Sequence, residues 1–365
     1  MLKSDASSRT TVLMIGDFPP PVTGAAKNNQ IVADLMEDKF HVIRLNTSST
    51  SSALNRSLGY HAIRIVRNAR AALGIAWSCI TSRQRCTVYH VPNAGYGSIY
   101  TVAFVFISYL LRVRCVLHHR SFRYIDRPTR SMRWVQRMMR STGLHVFLSD
   151  GMKQAFAAAY GGDVESLVVS NAAYIDVTMG HQRQPNGKLV LGHLSNLCRE
   201  KGIFDVIETF RHLRAFRQDV RLHIGGPAMN RDVESELTKL QQEFGEAVTV
   251  AGRIQPEEKN RFYEQIDLFL FPTRYAVEAQ PNVVFEALAS GCPVAAFDRG
   301  CIREMIGCES LLVAADAEYA QDVATWIDQI SNSHQLSERS SQALSHCALQ
   351  QAAGKAQLQQ VLERF

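Results

Sequence analysis

Residues 188–216 read KLVLGHLSNLCREKGIFDVIETFRHLRAF. Leu189–Leu194 is a short apolar run of strand character, the polar stretch Asn196–Gly202 ends in glycine, and Phe204–Phe216 returns apolar residues at helical spacing. Strand, turn and helix in that order begin a βαβ unit, and the same pattern recurs on both sides. Downstream, strands are expected at Arg221–Ile224, Val248–Val250, Leu268–Phe271 and Pro293–Phe297, with helices at Val233–Phe244, at Val284–Ala289 and from Ala320 onward. Upstream, Val12–Ile15, His41–Leu45, Thr87–Val91, Cys115–His118, His145–Leu148 and Leu167–Val169 read as strands. Helical patterns separate them at about Asn29–Asp38, Ile63–Ala76, Ile99–Leu111 and Thr129–Ser141. Strands spaced by helices pair in parallel through right-handed crossovers. Asn171–Gly187 loses periodicity and carries Pro185, Asn186 and Gly187, so it reads as a linker. The expected architecture is α/β, with two Rossmann-like doubly wound domains at 1–180 and 181–350. A helical tail at 351–365 is expected to pack back on the first domain. Such sheets bind ligands beyond the carboxyl ends of their strands, which makes a cleft between the halves the expected site.

A chain of 365 residues, 46% hydrophobic and 20% charged, is long and apolar enough for two cores and is neither disordered, collagen-like nor a disulfide scaffold. Its net charge of +6 conceals an asymmetry. Residues 1–180 carry 21 Lys+Arg against 10 Asp+Glu, a net of +11, while residues 181–365 sum to −5. A basic first half points to an anionic partner. The opening MLKSDASSRT has no apolar run of the signal-peptide kind, and no two of the eight cysteines have CxxC spacing, so reduced thiols in the cytoplasm are expected. The most apolar run, Ile99–Leu111, falls short of the roughly 20 residues a membrane span needs.

The sharpest chemical signal is Glu278-Ala-Gln-Pro-Asn-Val-Val-Phe-Glu286, continuing into Ala-Leu-Ala-Ser-Gly-Cys-Pro-Val. Pro281 suits a helix start near Asn282, where free amides can hold a phosphate, and Glu286 one turn later offers a carboxylate to a sugar or ribose hydroxyl. This Glu-x7-Glu pattern, with Pro272-Thr273 upstream, resembles retaining glycosyltransferases of family four, and the resemblance runs along most of the chain.

That resemblance implies the GT-B fold, with two parallel sheets facing a central cleft, and a metal-independent hexosyltransferase that keeps anomeric configuration. Asn196-Leu-Cys-Arg-Glu-Lys201-Gly202 is similar to the family's phosphate-binding turn, although Asn196 stands where the family usually has arginine. Lys201 would hold the leaving diphosphate, with Arg199 or Arg253 supplying a second cation. Glu278 would hold the donor sugar and Glu286 the ribose, with Arg253 at the base and Gln280, Asn282 and Val283 as further donor contacts. In the first domain, Gly24 falls in the family's glycine-bearing loop, and either His118 or His119 is the histidine placed beside the donor sugar. Thr23, Lys27, Asn28, Arg120 and Arg123 are the expected acceptor side. No DxD or HExxH occurs, so neither a metal nor another cofactor is expected. The implied partners are a nucleotide sugar and a lipid-linked or growing saccharide, as in cell-surface polysaccharide synthesis.

Arg123, Arg127, Arg130, Arg133, Arg137 and Arg140 recur at steps of three and four, interleaved with Trp134, Val135, Met138 and Met139. From Thr129 onward that spacing lies on one helix face, which fits either an anionic membrane on the inner side of the cell or a solvated helix whose Trp and Met turn inward. No helix-turn-helix or RNA-binding signature accompanies the basic half, so nucleic acid is not expected. A nucleotide-sugar epimerase and a non-catalytic nucleotide-sugar or polyanion binder are the alternatives to a transferase.

Overall fold

In the computed structural model, which describes residues 9–20, 23–48, 58–81, 85–175, 187–330 and 333–365, the chain forms two units. Met1–Tyr174 joins Gly354–Phe365 in the first, and Ile175–Ala353 makes the second. Of the segment read as a linker, Asn171–Tyr174 is a short 3-10 helix, while 176–186, with Pro185 and Asn186, lie outside the described residues, as do Pro21 and Val22.

The first unit runs β1 (Thr11–Gly16), α1 (Gly24–Glu37), β2 (His41–Asn46), α2 (Leu58–Thr81), β3 (Cys86–His90) and α3 (Ser98–Leu110). It continues with β4 (Arg114–His118), α4 (Arg123–Asp126), α5 (Arg130–Met139), β5 (Gly143–Phe147), α6 (Asp150–Tyr160) and β6 (Glu165–Val168). Its six strands are parallel in the order β2-β1-β3-β4-β5-β6. β1 is buried along its whole length, which is why it reads as a continuous apolar run and not as an alternation. α1 leads the chain from β1 outward to β2, whereas α2, α3, α5 and α6 lead it the opposite way along the sheet. Right-handed crossovers therefore put α1 on one face and those four on the other.

The second unit runs β7 (Leu189–Leu194), α7 (Ile203–Arg214), β8 (Val220–Gly225), α8 (Arg231–Phe244), β9 (Val248–Gly252), α9 (Lys259–Glu264) and β10 (Leu268–Phe271). After these come α10 (Asn282–Ala289), β11 (Val294–Phe297), α11 (Ile302–Met305), β12 (Leu311–Val313), α12 (Tyr319–Ile330) and α13 (Ser333–Leu362). Its sheet is also parallel and six-stranded, ordered β12-β11-β10-β7-β8-β9. Ile207 and Phe210 of α7 and Val323 and Ile327 of α12 share one core with Leu191, Leu222 and Leu270 of the strands.

α13 belongs to the second unit as far as Ala353 and to the first from Gly354 onward. There Leu358, Val361 and Leu362 join Val32, Ala33 and Met36 of α1 over Val12 and Met14 of β1. Gly354 permits this seat, since a Cβ at that position would lie 2.8 Å from the Ala173 backbone nitrogen. No helix among the described residues is long and apolar enough to cross a membrane, and none of the eight cysteines forms a disulfide.

Candidate functional site

Four neighbouring strands of the second sheet, β10, β7, β8 and β9, end on one edge, and the loops leaving that edge carry the residues singled out from sequence. After β7 the chain makes the 3-10 turn Arg199–Lys201 and enters α7 through Gly202 at φ 83°. A Cβ on Gly202 would sit 2.1 Å from the Pro272 carbonyl oxygen, so the turn rests directly on the end of β10. Gly202→Ala is accordingly expected to destabilise this unit by more than about 2 kcal/mol, measured by urea unfolding. An unchanged midpoint would contradict this packing.

The turn and the loop after β10 are tied three ways. Arg274 N donates to Glu200 O at 2.8 Å, the Arg274 side chain pairs with Asp205 at 2.6 Å, and Lys201 Nζ donates to Glu278 Oε2. Thr273 Oγ1 adds a 3.4 Å bond to the same Glu278 oxygen, and Lys201 Nζ lies 4.8 Å from the Tyr275 ring centre. Lys201 and Glu278 are thus in contact and mostly buried, at 20% and 12% side-chain exposure. Asn196 and Arg199 stand exposed on the same turn, with Arg199 stacked 4.3 Å over Phe204. Arg253 follows β9 and is exposed.

Glu286 is already engaged, which the sequence did not reveal. Lys259 Nζ donates to both of its carboxylate oxygens at 2.8 Å, and Tyr263 OH donates to Oε2 at 3.0 Å. Lys259 and Tyr263 are one helical turn apart, the only local signal that they share a face. Burial first, and the Glu286 charge second, push the Tyr263 hydroxyl well above its ordinary value, so it stays a donor. Gln280 is buried ahead of α10, while Asn282 and Val283 open its first turn. The N-caps of α7 and α10, Gly202 and Pro281, supply no side-chain acceptor, whereas Thr23, Thr129, Ser149 and Asn230 cap α1, α5, α6 and α8. First-turn amides at both uncapped ends are suited to an anion.

In the first unit a polar cluster forms at the ends of β1, β3 and β4. Arg120 donates to Asn29 Oδ1 at 2.9 Å and approaches His118 Nδ1 at 3.2 Å, and Tyr89 OH lies 2.5 Å from that same nitrogen. Arginine can only donate, so His118 Nδ1 is the acceptor and the ring proton sits on Nε2. His118 Nε2 is buried and has no hydrogen-bond partner among the described residues. Burial, then Arg120, then His119 hold the His118 pKa well below the usual histidine value, so the ring is neutral. His119 differs: its Nδ1 meets Tyr124 OH at 3.0 Å, its Nε2 meets His145 at 2.7 Å, and its ring stacks on Phe147. Of the adjacent pair, His118 keeps a donor to offer and His119 is built into the interior.

Thr23 Oγ caps α1 by accepting from Ala26 N, and the Thr23 carbonyl takes Lys27 N, so Gly24 is the first helical residue and not part of the preceding loop. Lys27 is exposed on that first turn and Asn28 is buried. Arg123 is exposed at the start of α4, off the face of α5. On α5 itself Arg130, Arg133 and Arg137 point outward, and so does Trp134, at 59% exposure, while Met132, Val135 and Met139 turn inward. The arrangement with Trp134 facing the core is therefore not adopted.

Residues 188–331 match the family described as glycosyl transferases group 1, so the second unit, which holds both glutamate sites, contains a domain of that family, and the paired parallel sheets have the GT-B fold. Within that class, lipopolysaccharide 1,2-N-acetylglucosaminetransferase of Salmonella typhimurium is 28% identical over 123 residues, 32% of this chain and 32% of that relative. The match spans about a third of the length of this curated relative. Among solved structures, Anabaena Alr3699/HepE in complex with UDP and glucose superposes with a TM-score of 0.69 at 17% identity, over 98% of this chain and 100% of that one. Sucrose-phosphate synthase from Thermosynechococcus elongatus gives 0.69 at 13% identity, over 98% and 99%. At such identities the likeness is one of fold.

Proposed function

We propose that this protein moves a hexosyl group from a nucleoside diphosphate sugar to a hydroxyl of a lipid-linked or growing saccharide. Anomeric configuration is retained and no metal is needed. The work is done in the cytoplasm, on the inner face of the plasma membrane, during cell-surface polysaccharide synthesis. The observation that carries this reading is the Lys201–Glu278 contact at the carboxyl edge of the group 1 domain. Lys201 has three N–H donors and Glu278 takes one, so the others remain for a diphosphate. As the bond from anomeric carbon to diphosphate oxygen breaks, the acceptor oxygen replaces it on the same face and the acceptor proton leaves with the diphosphate. The ammonium and the uncapped helix ends offset the charge that develops.

Glu286 has about four lone-pair sites, of which Lys259 and Tyr263 fill three, so one is left for a ribose hydroxyl. Arg253 meets the base, while Asn196, Arg199, Gln280, Asn282, Val283 and Gly24 complete the donor contacts. The free Nε2–H of His118 meets a donor-sugar hydroxyl, whereas His119 is held in the interior by Tyr124 and His145. Thr23, Lys27, Asn28, Arg120 and Arg123 serve the acceptor. The UDP held by the Anabaena protein makes uridine diphosphate the first ligand to try.

Thermal unfolding with each nucleoside diphosphate, in the presence of a chelator, tests the donor part. One of them is expected to stabilise the protein by about 2.7 kcal/mol at 100 times its Kd, and Glu286→Gln is expected to shrink that response. Stabilisation by none, or only with divalent metal added, would count against the reading.

A further inference from the structure

The first unit carries a surface that the transfer chemistry leaves unused. α2, α3 and α5 cover the same side of its sheet, with α3 packed against both of the others. Along α3, Ile99, Ala103, Phe106 and Leu110 recur at steps of four, three and four, and all are exposed, while Thr101, Phe104, Val105 and Ser108 turn inward. Along α2, Val66, Leu73, Trp77 and Ile80 repeat the pattern, the last three being 70%, 71% and 71% exposed. The outward stripe of a helix on a sheet is ordinarily polar. Here it is apolar on two touching helices, and Trp134 of the adjoining α5 is exposed as well. Apolar surface so concentrated marks an interaction site.

The charges around it have one sign. α5 contributes the exposed Arg130, Arg133 and Arg137 and α2 the exposed Arg70, and the three helices contain no aspartate or glutamate. A second copy of the chain docked two-fold on this face would set arginines against arginines with no carboxylate to offset them. Phosphate headgroups over acyl chains match both properties, and tryptophan favours that boundary.

We propose that the α2–α3–α5 face lies flat on an anionic lipid bilayer, with Trp77 and Trp134 at headgroup depth and the arginines against lipid phosphates. This deepens the membrane placement given above, and rests on it, by naming the surface that makes the contact.

Tryptophan emission reads the contact directly, because Trp77 and Trp134 stand on the face whereas Trp326 is buried in the second unit. The chain is expected to float with vesicles of phosphatidylcholine and phosphatidylglycerol, and not with phosphatidylcholine alone. On binding, emission should move to the blue and become shielded from iodide. In W77F/W134F, which keeps only Trp326, it should stay unchanged. Leu73→Ser with Ile80→Ser, both exposed positions, should lower the partition coefficient by about tenfold or more at every salt concentration. Arg130, Arg133 and Arg137 replaced by glutamine should lower it at low salt, with the difference closing as salt rises. Failure of the unaltered chain to float with either vesicle removes the membrane placement and this surface with it. Flotation with Trp77 and Trp134 still open to iodide keeps the placement and overturns this face. Shielding without vesicles, accompanied by self-association, would assign the face to a second copy and also overturn the proposal.

Discussion

Lys201→Ala is expected to lower kcat for glycosyl transfer by on the order of 10²–10³, the usual cost of removing one group that stabilises charge developing in the transition state. The substitution also strips Glu278, 12% exposed, of its counter-charge, so the second unit should lose about 1–3 kcal/mol of stability. The two effects separate in a double-mutant cycle. Adding Glu278→Gln to Lys201→Ala removes the unpaired charge and should restore much of the stability without restoring turnover. Steady-state kinetics and urea unfolding of the four proteins check this. Wild-type turnover in Lys201→Ala would rule out the lysine as the diphosphate group.

Mild acid should unfold the first unit before the second. Four fully buried histidines lie in the first: burial lowers His90 to about 4 and His145 to about 3, and places His118 and His119 well below the ordinary 6.5. Such a group stays neutral when folded while the unfolded chain takes up a proton below about pH 6.5, so stability is intact above that pH and is lost as the pH falls toward the folded value. Each histidine then subtracts about 1.4 kcal/mol per pH unit, or roughly 3 kcal/mol between pH 6.5 and 4. His90 and His145 together reach about 6 kcal/mol, comparable with the whole stability of an ordinary domain of about 5–15 kcal/mol. Among the described residues, the second unit has one fully buried histidine of this kind, His193, lowered to about 4. Urea midpoints read from Trp134 in the first unit and Trp326 in the second, each as the sole tryptophan, should diverge below pH 6.5, the first falling faster. Parallel decline would refute the assignment.

Strands were legible wherever both faces of the sheet are covered. Leu268–Phe271 reads as a continuous apolar run and forms a strand with the expected bounds, because a buried parallel strand has no polar face to interrupt it. α6 was not legible: only Met152 and Phe156 of its eleven residues are buried, too few for a period to show. The three-residue strand β12 lacks a period for the same reason. Within the candidate site, the family resemblance put Lys201 and Glu278 on one ligand, but the engagement of Glu286 by Lys259 depends on two elements 27 residues apart meeting in space. His118 and His119 are chemically identical in the sequence. Neighbours in extended chain point to opposite sides, so only the fold could decide which keeps a free nitrogen. Trp134 and Val135 pose the same ambiguity on a helix, where the period is visible but its phase is set by what the helix packs on.

The end of α13 has a consequence for the order in which the chain takes shape. Lys39 reaches Gln359 across 320 residues, and Leu358, Val361 and Leu362 cover one side of β1. Chain closure over that span costs little more than over a shorter one, because the entropy grows only with the logarithm of length. What the connection governs is timing. The second unit has every strand it needs between Ile175 and Ala353, while the first has the α1 side of its sheet only partly covered until residues 354–362 leave the ribosome. Domains usually mature from the N-terminus onward during translation. In this chain the half made first is the half finished last.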